Sequence, residues 1–136
     1  MESSIERILR GGKVVAVVGL SNKPDRPSYR VASYLQGKGY RIIPVNPTIT
    51  EVLGERSYPD LEAVPAKIDV VDVFRRSEDV PQVVEQALKV SARAIWMQEG
   101  VINEEAANSA RQAGLDVVMD RCMLKEHQRL FGHESR

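Results

Sequence analysis

The sequence of 136 residues contains few of the side chains on which disulfides and metal sites depend. A single cysteine, Cys122, excludes an intramolecular disulfide and a cysteine-rich zinc site. The two histidines, His127 and His133, lie in a polar C-terminal stretch, which disfavours a histidine metal site and a Ser-His-Asp triad. The sequence therefore predicts no metal centre and no catalytic set of residues.

The sequence also lacks an excess of charge of either sign and has no long apolar run. Nineteen basic residues balance nineteen acidic ones, which disfavours a nucleic-acid partner because such a partner requires a basic excess. No apolar run approaches the roughly 18 residues that span a bilayer, and the N-terminus lacks the regions of a signal peptide. We expect a cytoplasmic protein without a membrane or nucleic-acid partner, either a monomer or a weak homo-oligomer, with any protein partner left open.

Two common nucleotide-binding motifs are absent. Of the dinucleotide fingerprint G-x-G-x-x-G only Gly19 is present, and no acidic residue ends the second predicted strand. The Walker A pattern G-x-x-x-x-G-K-[ST] has no match. An NAD(P)-binding oxidoreductase is therefore a weak alternative, and hydrolysis of nucleoside triphosphates is not expected.

Short apolar segments alternate with longer amphipathic ones, which is typical of a parallel sheet with crossover helices. Strands are predicted at 13–18, 41–45, 69–74, 92–97 and 115–119. Helices are predicted from Ser3 to the Gly11-Gly12 pair, over 27–38, from Ser77 onward, from Asn103 to Gly114 and over 124–130. Residues 48–67 are irregular, with a short edge strand or turn and one helical turn around 60–64. The chain, 1–136, is predicted to form one three-layer, doubly wound α/β domain with a mainly parallel sheet of about five strands and a frayed tail at 131–136.

The loop after the first strand is the strongest candidate for a ligand site. Ligands of doubly wound sheets bind beyond the carboxyl ends of the strands, where the strand order reverses. This loop also opens a helix, whose free N–H groups and positive dipole end attract phosphate. Small residues at Gly19 and Ser21 allow close approach, and the loop and helix carry the cations Lys23, Arg26 and Arg30. Phosphate binding is the favoured interpretation, and an ordinary exposed loop is the alternative.

The other strand ends carry groups that suit a ligand, each with a structural alternative. Asn46 either binds a base or ribose or forms a turn. After the third long strand, Phe74 packs on a ligand or in the core, and Arg75 meets a phosphate or stays solvated. Gln98 and Gly100 are better placed for an extended ligand, because a small residue leaves room for it.

Three buried candidates are interpreted mainly as structural. Trp96 is predicted to lie in the core. Asp72 interrupts an apolar run and, if buried, must find a partner; we interpret it as a structural hydrogen-bond acceptor rather than a catalytic base. Cys122 is interpreted first as an inert buried thiol and alternatively as a reactive one. Since no acid–base pair occurs at any strand end, the site is suited to binding rather than catalysis.

Six segments together resemble a known family. They are VVGLSNKPDRPSYRV (17–31), IIPVNP (42–47), LGERSYPDL (53–61), VDVFRRSEDVPQVVEQA (71–87), IWMQEGVINEEAA (95–107) and AGLDVVMDRCM (113–123). They are similar to the small stand-alone CoA-binding proteins, whose Rossmann-like fold is that of the N-terminal CoA-binding domain of the succinyl-CoA synthetase alpha subunit. The synthetases add a phosphohistidine from a second domain that this sequence does not contain, so ligase activity is not implied.

The resemblance implies a placement of coenzyme A. It implies that the diphosphate contacts the first loop and the following helix, at Gly19, Ser21, Ser28, Tyr29 and Arg30. It implies that adenosine lies near Val45, Asn46 and Pro47, that Phe74 and Arg75 line the cleft, and that pantetheine runs toward Gln98, Glu99 and Gly100. The leading hypothesis is a domain that binds coenzyme A or a short acyl-CoA. The alternatives are a CoA-dependent thiol or acyl-transfer enzyme that uses Cys122, and the NAD(P)-binding oxidoreductase.

Overall fold

Five parallel strands form the central sheet of the computed structural model, which describes residues 3–132. They are β1 (Val14–Val18), β2 (Arg41–Val45), β5 (Val70–Val73), β6 (Ala94–Met97) and β7 (Asp116–Val118), and a small hairpin comprises β3 (Glu51–Val52) and β4 (Glu55–Arg56). The order in the sheet is β2-β1-β5-β6-β7. The chain therefore moves outward from β1 to β2 and then crosses to β5 on the other side of β1. The strand order reverses between the adjacent strands β1 and β5.

Helices connect the strands, and all of them except α3 begin within one residue of the predicted position. They are α1 (Ser4–Gly11), α2 (Pro27–Gly37), α3 (Val80–Lys89), α4 (Glu104–Gln112) and α5 (Met123–Phe131), and short 3-10 turns occur at Leu61–Ala63 and Ser77–Asp79. The Ser3 hydroxyl accepts from the Glu6 N–H, and the Asn103 side chain accepts from the Ala106 N–H. Both side chains cap their helices, since each accepts from an N–H group that has no partner within the helix.

The helices cover both faces of the sheet and give three layers. Apolar side chains from α1, α2 and α5 pack on one face, against residues such as Val17 and Trp96. Those of α3 and α4 pack on the other face, against residues such as Ala16 and Val73. Strands buried on both faces require apolar residues at consecutive positions, which explains the continuous runs in the sequence. The predicted three-layer, doubly wound α/β fold is confirmed, and Trp96 lies fully in the core as expected.

Two local predictions need adjustment. The helix predicted from Ser77 starts as a 3-10 turn, and the α-helix begins only at Val80, with a proline in its first turn. The Ser77 hydroxyl does not cap that helix but accepts from the Ile102 N–H at 2.9 Å. Residues 48–67 contain the separate β3–β4 hairpin, where a short edge strand or turn is predicted, and one 3-10 turn within the helical turn predicted around 60–64. Of the predicted tail, Phe131 still belongs to α5, while His133 and the three residues after it lie outside the described residues.

Asp72 is the exception to the apolar interior. It lies in β5, is fully buried, and neither of its carboxyl oxygens has a hydrogen-bond partner within the described residues 3–132. The expectation that a buried Asp72 would act as a structural acceptor is therefore wrong. Its neighbours in register are Val17 and Trp96, and the indole N–H of Trp96 donates to the Arg121 carbonyl instead. Burial raises the pKa of the Asp72 carboxyl well above its usual value, which favours the neutral acid.

Candidate functional site

A cleft of about 750 Å³ opens at the carboxyl ends of the strands, where Gly19 follows β1 and Phe74 follows β5. These are the adjacent strands between which the strand order reverses. The volume lies within the range of small-molecule and cofactor sites, roughly 300–1,000 Å³. The cleft therefore occupies the position that the fold class predicts for a ligand.

Gly19 lets the backbone turn away from β1 at the floor of the cleft. Its φ is +90°, and its N–H donates to the Val45 carbonyl at 2.9 Å. A Cβ at this position would lie 2.3 Å from the Phe74 carbonyl oxygen. Only glycine therefore fits the approach of the first loop to the end of β5.

Two serines hold the first loop in shape. The Ser28 hydroxyl accepts from the Ser21 N–H at 3.0 Å, and the Ser21 hydroxyl accepts from the Lys23 N–H at 3.1 Å. Ser28 is buried at the start of α2, which has no side-chain cap and no acidic residue in its first turn. In contrast, α1 and α4 have both. The positive end of α2 thus borders the cleft without a protein anion of its own to neutralise it.

Charged side chains line the entrance of the cleft. The three cations are Arg26, Arg75 and Arg76, and the two acids are Asp79 and Glu99. Asp79 Oδ2 lies 3.5 Å from Arg75 Nη2 and 3.4 Å from Arg76 Nε. Arg26 has no ion-pair partner among residues 3–132. Cations therefore exceed acids at the entrance, and the arginine pairs are exposed enough for a ligand anion to compete for them.

The opposite wall of the cleft is formed where β6 and β7 end. Gln98 is 4% exposed, and its Oε1 accepts from the Met123 N–H at 3.2 Å. The next residue, Glu99, forms an exposed ion pair with Lys125, with an N–O distance of 3.0 Å. Cys122 borders the cleft at the N-terminus of α5, and Val101 adds an apolar surface. This wall is largely apolar with one fixed amide, in contrast to the charged entrance.

Half of the predicted site residues line the cleft together: Gly19, Ser21, Arg26, Ser28, Phe74, Arg75 and Gln98. The others lie nearby in different environments. Lys23 is exposed, and Arg30 points its guanidinium at the Asp25 carbonyl, with an N–O distance of 2.7 Å. Tyr29 packs partly against the core under α2, and Gly100 makes an exposed turn with φ +84°. A role in ligand binding remains a prediction for all of these residues.

Val45 and Pro47 border a second, smaller cavity of about 110 Å³. Arg75 and Asp79 line both this cavity and the main cleft, so the two spaces are adjacent. Asp60 adds a polar group to its wall. The predicted adenosine residues and the predicted phosphate residues therefore lie next to each other around Arg75.

Asn46 braces the first loop against the end of β2. Its Nδ2 donates to the Leu20 carbonyl at 2.9 Å, and its Oδ1 accepts from the N–H and the hydroxyl of Thr48. The turn predicted for Asn46 is thus present, and the amide is occupied by the protein.

Asn46→Ala is expected to lower the free energy of unfolding by about 1 kcal/mol, because the Leu20 carbonyl loses a partly buried bond and Thr48 loses two exposed ones. Urea denaturation measures the change. Thr48→Val, which removes only the exposed hydroxyl bond, is the matched control and should cost less. An equal effect of both variants would show that the brace to Leu20 contributes nothing.

Sequence reasoning did not single out Arg76, Asp79 and Val101 as lining residues. Arg76 directly follows a predicted site residue, so a longer window at that strand end would have included it. The helix predicted from Ser77 places Asp79 in its first turn, whereas the observed 3-10 turn brings its carboxylate back to both arginines. No local pattern predicts that turn.

Within residues 3–132 no three side chains of His, Cys, Asp or Glu converge in a way that would hold a metal ion. In the same part of the chain no helix is both long and apolar enough to cross a membrane.

The sheet order and the position of the cleft define a Rossmann-like α/β protein with a ligand site at its reversal point. The chain belongs to the CoA-binding domain family, whose sequence model matches residues 13–128. The resemblance on which the sequence analysis relied is therefore confirmed.

The chain is similar to proteins of two kinds. It is 45% identical over 126 residues to the uncharacterized protein YneT of Bacillus subtilis, with 93% of each chain covered. A solved structure of a hypothetical protein from Pyrococcus horikoshii OT3 superposes with a TM-score of 0.91 at 44% identity, covering 94% of this chain and 90% of that one. The ADP-forming acetate–CoA ligase II of Archaeoglobus fulgidus is 25% identical over 100 residues, which are 72% of this chain and 15% of the ligase. The chain is thus related both to small single proteins and to one segment of a much larger enzyme.

Proposed function

We propose that this protein binds coenzyme A, or a short acyl-CoA, in the cleft between the ends of β1 and β5. The observation that carries the proposal is the cleft itself, at whose entrance the positive end of α2 meets Arg26, Arg75 and Arg76. Membership of the CoA-binding domain family supports the choice of ligand. Coenzyme A combines polyanionic phosphates with a long, neutral thiol-bearing arm, and the cleft has a charged end and a largely apolar end.

The proposed diphosphate position is the first turn of α2. Its N–H groups have no side-chain cap, and Gly19 and Ser21 leave the backbone open to close approach. Arg26 and Arg75 both line the cleft, and we propose that they supply charge-assisted hydrogen bonds to the diphosphate. From there the adenosine end is proposed to reach the small cavity at Val45 and Pro47, which shares Arg75 with the cleft.

The thiol-bearing arm is proposed to run along the opposite wall, past Gln98 toward Val101 and Cys122. We propose no general acid or base for this site. The two carboxylates of the cleft, Asp79 and Glu99, are already paired with arginines and with Lys125 respectively. Binding is therefore the function that the site supports best.

Isothermal titration of the purified protein with coenzyme A under a reducing agent tests the proposal. The expected result is saturable binding that is tighter than that of ADP or pantetheine alone, because the two halves occupy different ends of one cleft. The absence of both binding heat and a thermal shift at millimolar coenzyme A would overturn the proposal. Mass spectrometry of the protein purified under native conditions would show whether a ligand with an acyl group is retained.

Arg26→Ala and Arg75→Ala are each expected to weaken coenzyme A binding about tenfold at low salt, through loss of a charge-assisted bond to phosphate. Both variants should also show a flatter dependence of affinity on salt, because exposed charge pairs are screened. Arg30→Ala is expected to weaken binding less, since its guanidinium is engaged by the Asp25 carbonyl. Titration calorimetry at two salt concentrations gives both quantities.

Lys89→Ala is the matched control for these variants. Lys89 is an exposed cation in the last turn of α3 and does not line the cleft. It should leave the affinity and its salt dependence unchanged. If Lys89→Ala and Arg75→Ala weakened binding equally, the effect would reflect overall charge and not the proposed phosphate contact.

A further inference from the structure

Cys122, the single cysteine of the chain, lies at the apolar end of the cleft. It is the residue before α5, is 8% exposed, and packs on its inner side against the core that α2 and α5 share. Its outer side borders the cleft. A ligand that fills the cleft from the charged entrance therefore reaches Cys122 with its far end.

Gln98 provides an independent sign that a ligand occupies this end. Gln98 is only 4% exposed, and the hydrogen bond from the Met123 N–H to its Oε1 fixes the orientation of the amide. Its Nε2 has no hydrogen-bond partner among the described residues, although Gln98 borders the cleft. Because Gln98 lines the cleft, an amide donor without a protein acceptor there can bind an acceptor that a ligand brings. The amide carbonyls of a pantetheine arm are such acceptors, and the thiol follows them.

We propose that Cys122 exchanges with the disulfide of the thiol ligand bound in this cleft and carries the ligand as a mixed disulfide. The inference rests on the proposed binding of coenzyme A and adds a covalent, reversible step to it. The Gln98 amide positions the arm by donating to one of its carbonyls, and Cys122 receives the sulfur at its end.

The exchange needs no reagent other than the symmetrical disulfide of the ligand. The Cys122 thiolate attacks one sulfur of that disulfide, and the ligand S–S bond breaks as the bond from Cys122 to the ligand sulfur forms. The second half of the ligand leaves as a thiolate and takes up a proton. Cys122 is oxidised to the mixed disulfide, and the departing half is reduced. A small thiol reverses the step by attack on the mixed disulfide.

The test compares rates of modification by intact-protein mass spectrometry. The unchanged protein is treated with coenzyme A disulfide or with glutathione disulfide, which has the same reactive bond but does not match the cleft. The control is Cys122→Ser combined with Ser109→Cys, since Ser109 is an exposed residue of α4 that does not line the cleft. Desulfo-coenzyme A, which lacks the thiol, serves as competitor. Calorimetry with coenzyme A under a reducing agent is carried out in parallel on the unchanged protein.

We expect coenzyme A disulfide to modify Cys122 at least about tenfold faster than glutathione disulfide does, because binding holds its sulfur at a high effective concentration. Desulfo-coenzyme A should remove that advantage, and the control thiol should react with both disulfides at similar rates. Equal rates at Cys122, a rate that the competitor leaves unchanged, or no adduct at all would overturn the exchange, while saturable binding in the calorimeter would leave the proposed function standing. Absence of binding in the calorimeter would overturn both.

Discussion

Replacing Gly19 by alanine is expected to lower the free energy of unfolding by about 3–5 kcal/mol and to abolish coenzyme A binding. Two costs combine at this position. An L side chain is strained at φ +90°, and its Cβ would lie 2.3 Å from the Phe74 carbonyl oxygen. That oxygen belongs to the backbone at the end of β5, so relief of the clash must move the first loop away from β5. The movement would displace the very residues that frame the cleft.

Gly54→Ala separates the two costs. Gly54 has φ +77° in the β3–β4 hairpin, but a Cβ there meets nothing within 4 Å. This control is expected to cost only about 1–2 kcal/mol, from backbone strain, and to leave binding intact. Urea denaturation measures stability, and calorimetry measures binding. A Gly19→Ala protein as stable as Gly54→Ala would show that the contact with Phe74 is not what requires glycine at the floor of the cleft.

Asp72→Val is expected to raise the free energy of unfolding by about 2 kcal/mol at pH 8, because it removes a buried polar group that has no partner. The gain should depend on pH. Burial raises the folded-state pKa of Asp72 above the unfolded value, so the carboxyl destabilises the fold least at pH values below the unfolded pKa. Its cost grows as pH rises through the window between the unfolded and folded pKa. Denaturation from pH 4 to pH 8 should show a larger gain for Asp72→Val at the higher pH.

Asp69 is the matched control for Asp72, since it immediately precedes β5. Its carboxylate accepts from the N–H groups of Lys13 and Val14, each at 2.9 Å. Asp69→Ala is therefore expected to destabilise the protein by about 1–3 kcal/mol, which is the opposite sign from Asp72→Val. A loss of stability in Asp72→Val at every pH would show that the Asp72 carboxyl has a stabilising partner in solution.

The features that the sequence predicts correctly depend on short-range chemistry. The apolar runs that become β1 and β5 are buried on both faces, so their side chains alone indicate a parallel sheet. The Ser3 and Asn103 caps act on N–H groups three residues away. Seven of the residues with a predicted ligand contact line one cleft, because the carboxyl ends of parallel strands share an edge, and the contact itself stays a prediction.

Other features depend on contacts between distant parts of the chain. Asp72 and a partnered aspartate are indistinguishable in the sequence, since the absence of a partner follows from Val17 and Trp96 being its neighbours in register. The amide of Asn46 is occupied because the loop after β1 presents the Leu20 carbonyl to it. Likewise, Arg30 is turned toward Asp25 while Arg76 borders the cleft, although both are cations that follow a strand end.

By itself, the sequence determined the α/β class, the strands and helices, the edge of the sheet where a ligand belongs and the family resemblance, because these follow from periodicity, caps and motifs along the chain. Only the tertiary structure decided which side chains face that edge unpaired. It left the Gln98 amide without an acceptor beside Cys122 and pressed Gly19 against Phe74. The physical reason is that hydrogen-bond satisfaction and close packing are properties of pairs of groups, and the partners here are tens of residues apart in the chain.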